Sequence, residues 1–175
     1  VQSTINNRGT NLFQFMLPRL INALHGDNST TQFRDILKCS SFFMAIVVKS
    51  MSMYLRLVPN ALTGQKLFDM VVPYFDHLNT MVSDYPNDKN DLHKNASLFT
   101  NQLLVLQQFY RIAGPLLYCF KCERVANIMV AFINSIRYFP EDKKQIAIDK
   151  AKFRILLSLS SARLIFEESV RHILF

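Results

Sequence analysis

The chain has 175 residues, half of them hydrophobic and 19% charged, with four glycines, six prolines and no tryptophan, a balance that excludes disorder and suits one domain with a single sizeable core. So few glycines cannot furnish the tight turns of an all-β or α/β architecture, so the expectation is an all-α fold of long helices. The net charge of +7 and pI of about 9.5 point to anionic partners; residues 1–110 hold nine basic and seven acidic side chains and residues 111–175 eleven and six, so most of the excess lies in the C-terminal third.

Taken in chain order, Asn11 to Leu24 reads as a first helix with Thr10 as its N-cap and Leu12, Phe15, Met16, Leu20 and Ala23 at helical spacing, closed by His25-Gly26. After a polar turn from Asp27 to Thr30, a second helix spans about Thr31 to Val58. Phe33, Leu37, Ser40, Phe43, Val47, Met51, Tyr54 and Val58 share one face, widened by Ile36, Met44, Val48 and Leu55. Its polar remainder is a narrow stripe in which Arg34, Lys38, Lys49 and Arg56 fall on one line. The stripe is either an ordinary solvated face or a partner-binding ridge. The same helix contains the longest apolar stretch, Ser41 to Val58, and Lys49 and Arg56 within it argue against a membrane span.

Pro59-Asn60 ends this helix. Thr63 is the expected cap of a third, running to about Ser83 with a kink or restart near Pro73. The polar stretch Ser83 to Asp91 reads as a surface loop. Read as a calcium loop from Asp88, it lacks the glycine at the sixth place and has Phe99 where the bidentate glutamate belongs. A fourth helix runs from Asn90 or Asp91 to Ile112, stopped by Gly114-Pro115. A fifth is expected from Pro115 to about Lys121, a sixth from Glu123 to Ile136, and a last from Pro140, whose ring suits a first turn, to about Ser160 or on to His172.

The chemistry-bearing residues are sparse. No phosphate-binding glycine loop, metalloprotease, hydrolase or kinase motif is present, so the expectation is a protein that is not an enzyme and needs no cofactor or metal. Cys119 and Cys122 form a C-x-x-C, but in an apolar helical stretch, and Cys39 with scattered histidines supplies no second metal-ligand pair; buried thiols in a reducing compartment are the expectation. Lys143, Lys144, Lys150, Lys152 and Arg154 make the densest basic run, interleaved with Ile146, Ile148 and Phe153. It is a candidate for phosphates or an anionic membrane surface, or a solvated face leading into core sequence. Fifteen phenylalanines imply a Phe-filled core between helix pairs, stacked as an armadillo- or HEAT-like α-solenoid or gathered into a closed bundle. The apolar end Ile173-Leu174-Phe175 leads to the expectation that residues 1–175 are one helical domain cut from a longer chain.

Two segments carry a family resemblance. Ser41-Phe42-Phe43-Met44-Ala45-Ile46-Val47-Val48-Lys49-Ser50-Met51-Ser52-Met53-Tyr54-Leu55 resembles an aromatic-rich helix of the DOCK (dedicator of cytokinesis) exchange factors, zizimin-like branches especially, and Asn95-Ala96-Ser97-Leu98-Phe99-Thr100-Asn101-Gln102-Leu103-Leu104 resembles a later helix of that family. The family's tryptophan before the Phe run is Ser41 or absent here, and its Asp-Arg-Gly after the second segment is replaced by Gln107-Gln108-Phe109-Tyr110-Arg111. The resemblance touches residues 12–120 and implies a divergent member's armadillo-like middle region, a non-catalytic cytoplasmic scaffold beside the exchange domain for Rac or Cdc42. Its implied partners are other domains of the same chain, a second copy or an adaptor protein, with the GTPase engaged by the parent chain only. The alternative is an independent basic helical module for an anionic membrane or, less in keeping with the residues, nucleic acid.

Overall fold

The computed structural model describes residues 11–26, 30–58, 60–84, 92–139, 142–160 and 172–173. Among the described residues six α-helices carry the fold: α1 (Leu12–Leu24), α2 (Thr31–Leu57), α3 (Ala61–Ser83), α4 (Leu92–Ala113), α5 (Cys122–Ser135) and α6 (Asp142–Ser160). No strand occurs among the described residues, and the all-α expectation holds. Between α4 and α5, Gly114–Tyr118 forms a short 3-10 helix in place of the expected α-helix to Lys121. Pro115 sits in its opening turn, and two turns are all that fit before Lys121 goes extended to start α5.

Boundaries depart from the sequence reading where capping is not local. Thr30 is the working N-cap of α2, its side-chain oxygen accepting from the Phe33 N–H at 3.1 Å. α3 starts at Ala61, two residues before the expected Thr63 cap, because the Asn60 carbonyl accepts from both Thr63 and Gly64. It then runs unbroken through Pro73, which lies on the exposed side of the helix. Thr10, Asn90, Asp91 and Pro140 lie outside the described residues, as does nearly all of the Ser83 to Asp91 stretch.

α1 is rotated relative to expectation. Its buried line is Phe13, Leu17, Leu20 and Leu24, spaced four, three and four, while Leu12 and Phe15 face outward. In α2 the expected Phe33, Leu37, Ser40, Val47 and Met51 are buried; Phe43 and Tyr54 are half-buried and Val58 is exposed. Among the described residues α2 is the one helix long and apolar enough to cross a membrane, and 39% of its most apolar window is buried in the protein.

The helices pack in two rows. α2, α4 and α6 touch in that order, as do α1, α3 and α5; the rows join where α1 meets α2 and where α3 meets α4 and, more lightly, α2. One hydrophobic cluster runs through both rows. At its centre Phe75 of α3 meets Phe109 of α4 edge-on at 6.1 Å, and Phe109 stacks on Phe132 of α5 at 3.5 Å, so three helices share one aromatic column. The Phe-filled core is confirmed for these positions, whereas Phe15, Phe42 and Phe153 are exposed.

Candidate docking surface

Several helix ends in this fold are closed by side chains of other elements. Ser50 of α2 accepts from the Phe13 N–H in the first turn of α1 at 3.2 Å, a role that Asn11, the formal cap, does not fill with its own side chain. Gln102 of α4 donates to the Met81 and Asp84 carbonyls at the end of α3, both at 2.9 Å, and Gln145 of α6 accepts from the Phe139 N–H at 2.7 Å. At the end of α1, His77 of α3 donates through Nε2 to the Leu24 carbonyl at 2.6 Å, and His25 donates through Nδ1 to the Ile21 carbonyl at 2.8 Å, with the two imidazoles 4.4 Å apart. Burial holds His77 below the usual histidine value, with the His25 charge acting in the same sense and the Leu24 carbonyl and Asp84 opposing. Ser50, Gln102 and His77 thus tie one helix to another, whereas the bonds of His25 and Gln145 are local to the ends of α1 and α6.

The C-x-x-C pair straddles the junction before α5. Cys119 follows the 3-10 helix and Cys122 opens α5; both are half-buried and unbridged, and Cys39 is exposed. The Cys119 thiol donates to the Val48 carbonyl at 3.3 Å, and burial pushes it up to about 11, with the Ser52 hydroxyl pulling the other way. A thiol held protonated is the reverse of what nucleophilic or redox chemistry needs. Among the described residues no three His, Cys, Asp or Glu side chains converge on a metal position. A recess of about 220 Å³ between α3 and α5 is lined by Phe68, Val72, Phe75, Asn79, Arg124 and Ile128 among others, with the Arg124 guanidinium 5.4 Å from the Phe68 ring centre. Its volume lies below the usual range of small-molecule pockets.

The two cationic stretches form the remaining surface. On α2, Arg34 is half-buried and donates through Nε to Oδ1 of Asn101 on α4 at 3.5 Å; Lys38 is exposed and pairs with Asp35 at 2.9 Å; Lys49 and Arg56 are exposed. The stripe therefore begins as an interhelical contact and continues as a solvent-facing line. The Lys38–Asp35 pair, with both side chains more than half exposed, contributes little to stability.

On α6, Ile148, Ala151 and Ile155 face the core and the basic run divides. Lys143, Lys150 and Arg154, spaced seven and four, share an exposed line. Lys144 is half-buried with Nζ 5.7 Å from the Phe99 ring centre, and Lys152 is half-buried on the opposite flank. Arg154 also edges a small recess between α4 and α6 with Gln107 and Tyr110. Of the interleaved apolar residues only Ile148 enters the core, while Ile146 and Phe153 are 52% and 65% exposed; of the apolar residues that follow the run, Ile155 is buried and Leu156 and Leu157 are exposed.

Comparison with protein families, curated proteins and solved structures finds no match to this chain.

Proposed function

We propose that this chain is a non-catalytic helical scaffold, a segment of stacked helix pairs of armadillo or HEAT kind, that holds flanking domains or partner proteins in fixed relation. The observation that carries this reading is the alternation of packing: α3 takes α1 and α5 as neighbours, and α4 takes α2 and α6, the pattern that stacking one helix pair on the next produces. A closed bundle would bring the last helix back to the first, whereas the main neighbour of α6 is α4. The polar groups favour the same reading, since Ser50, His77, Asn101 and Gln102 are all spent on helix ends and interhelical contacts.

The cytoplasmic setting beside a Rho-family exchange domain rests on the resemblance of residues 41–55 and 95–104 to DOCK proteins. Those two segments lie on α2 and α4, which pack against each other. Within the most specific part, Ser50 and Met51 are buried and Lys49 is exposed. In this reading the Lys49 and Arg56 line is a contact ridge for an adaptor, a second copy or another domain of the parent chain. A nucleotide-release assay tests it. The 175-residue chain should leave GDP release from Rac and Cdc42 at its intrinsic rate, and clear acceleration by the chain alone would refute a purely scaffolding role.

A further inference from the structure

The charge of this protein is divided between its two rows of helices. α2, α4 and α6 together carry eleven Lys/Arg and three Asp/Glu, whereas α1, α3 and α5 carry three of each, so the charge excess of the helices belongs to one row. Chain order hides this division, because the rows alternate along the sequence. The middle helix of the charged row, α4, has no acidic residue at all. On the helices either side of it, Lys49 and Arg56 on α2 and Lys143, Lys150 and Arg154 on α6 are exposed, Arg34 and Arg154 reach α4 residues, and Arg111 at the end of α4 is exposed as well. Phosphate-bearing surfaces are concentrated by such a field.

Apolar side chains stand among these cations. Phe42 and Met53 on α2 are 64% and 44% exposed, at helical spacing beside Lys49; Ile146 and Phe153 on α6, seven residues apart, flank Lys150. Leu156 extends the α6 ridge at 49% exposure. Aliphatic groups such as Ile146, Met53 and Leu156 gain nothing from the phosphates of a nucleic acid, whose protein contacts are charged, polar and aromatic. They do gain from the boundary between lipid headgroups and acyl chains, where cations meet headgroup phosphates and apolar side chains enter below them. We infer that the outer face of the α2–α4–α6 row is a docking surface for an anionic lipid bilayer, with the cations of α2 and α6 on headgroups and Phe42, Ile146 and Phe153 at the acyl boundary. The inference goes beyond the scaffold reading and stands on different observations. A scaffold bound this way lies on the membrane without a spanning segment, since α2 keeps its core contacts.

Vesicle sedimentation of the whole 175-residue chain tests the inference. Vesicles of phosphatidylcholine with phosphatidylserine should carry the protein down at low salt, and phosphatidylcholine alone should not. The double reversal K150E/R154E should weaken partitioning roughly twenty-fivefold or more, at about fivefold per surface cation lost. F153S should weaken it at low and high salt alike, because its contribution is unscreened. The reversal R19E/K66E, on exposed positions of the balanced row, should leave it unchanged, and circular dichroism melts of all three variants check that each is folded. Failure to bind anionic vesicles at low salt would overturn the inference, as would equal weakening by reversals on both rows. Displacement of the protein from vesicles by DNA at matched phosphate concentration would assign the row to nucleic acid instead.

Discussion

Ser50 lies in the middle of α2, yet its hydroxyl serves the first turn of α1, 37 residues earlier in the chain. A serine in a helix interior ordinarily turns outward or bonds its own helix, so nothing in the local sequence marks this one. Gln102 and Asn101 are similar: their partners lie 18 to 67 residues away, and spacing along the chain carries no trace of them. Ser50→Ala should therefore lower stability by about 1 kcal/mol, as loss of a buried cap does, while Ser41→Ala on the same helix should change it by less than about 0.5 kcal/mol. Urea titration of both variants checks this. His77 gives a pH signature. Its pKa in the folded protein is below the unfolded value of about 6.5, so the unfolded chain binds its proton first as pH falls, and the contribution is intact above that value and lost below it. The melting temperature should fall as pH drops below about 6.5, and His77→Gln should flatten that dependence; an unchanged profile in the variant would assign the titration to another group.

At the scale of elements, the regular part of the fold was legible. Phe33, Leu37, Ser40, Val47 and Met51 fall at steps of three, four or seven and are buried, and Val125, Met129 and Phe132 keep the same helical spacing in α5. The misreadings share a cause. In α1 both Leu12-Phe15-Met16 and Phe13-Leu17-Leu20-Leu24 are helical series, and only packing against α2 chooses between them. On α6 Ile146, Ile148 and Phe153 alternate with cations, and α6 has one main neighbour, so one side alone is covered. Helices that touch few neighbours leave apolar residues outside, and a sequence cannot say how many neighbours a helix has. The aromatic column of Phe75, Phe109 and Phe132 is where elements depend on one another most. Phe109→Ala removes the ring that touches both others, and should cost about 3–5 kcal/mol with a lower denaturation midpoint. Phe153→Ala, exposed on α6, should be close to neutral for stability.

For the whole molecule, the sequence held the fold class and the size of the core but not the arrangement of rows. The excess of cations near the C-terminus seemed a property of one stretch; in three dimensions it joins the cations of α2, about a hundred residues earlier, across an acid-free α4. The division of labour follows from that arrangement: buried polar groups close helix ends, the balanced row completes the core, and the charged row presents a surface. The open stack proposed above has a thermodynamic consequence that a closed bundle lacks. Each helix is held by its neighbours in the rows, so an end helix opens at lower cost than a central one. Native-state hydrogen exchange resolved by helix measures this directly. The account predicts the slowest exchange in α2, α3 and α4, which have the most neighbours, and the fastest in α6, opening well below the global unfolding free energy; exchange of all six helices through a single global opening would contradict it.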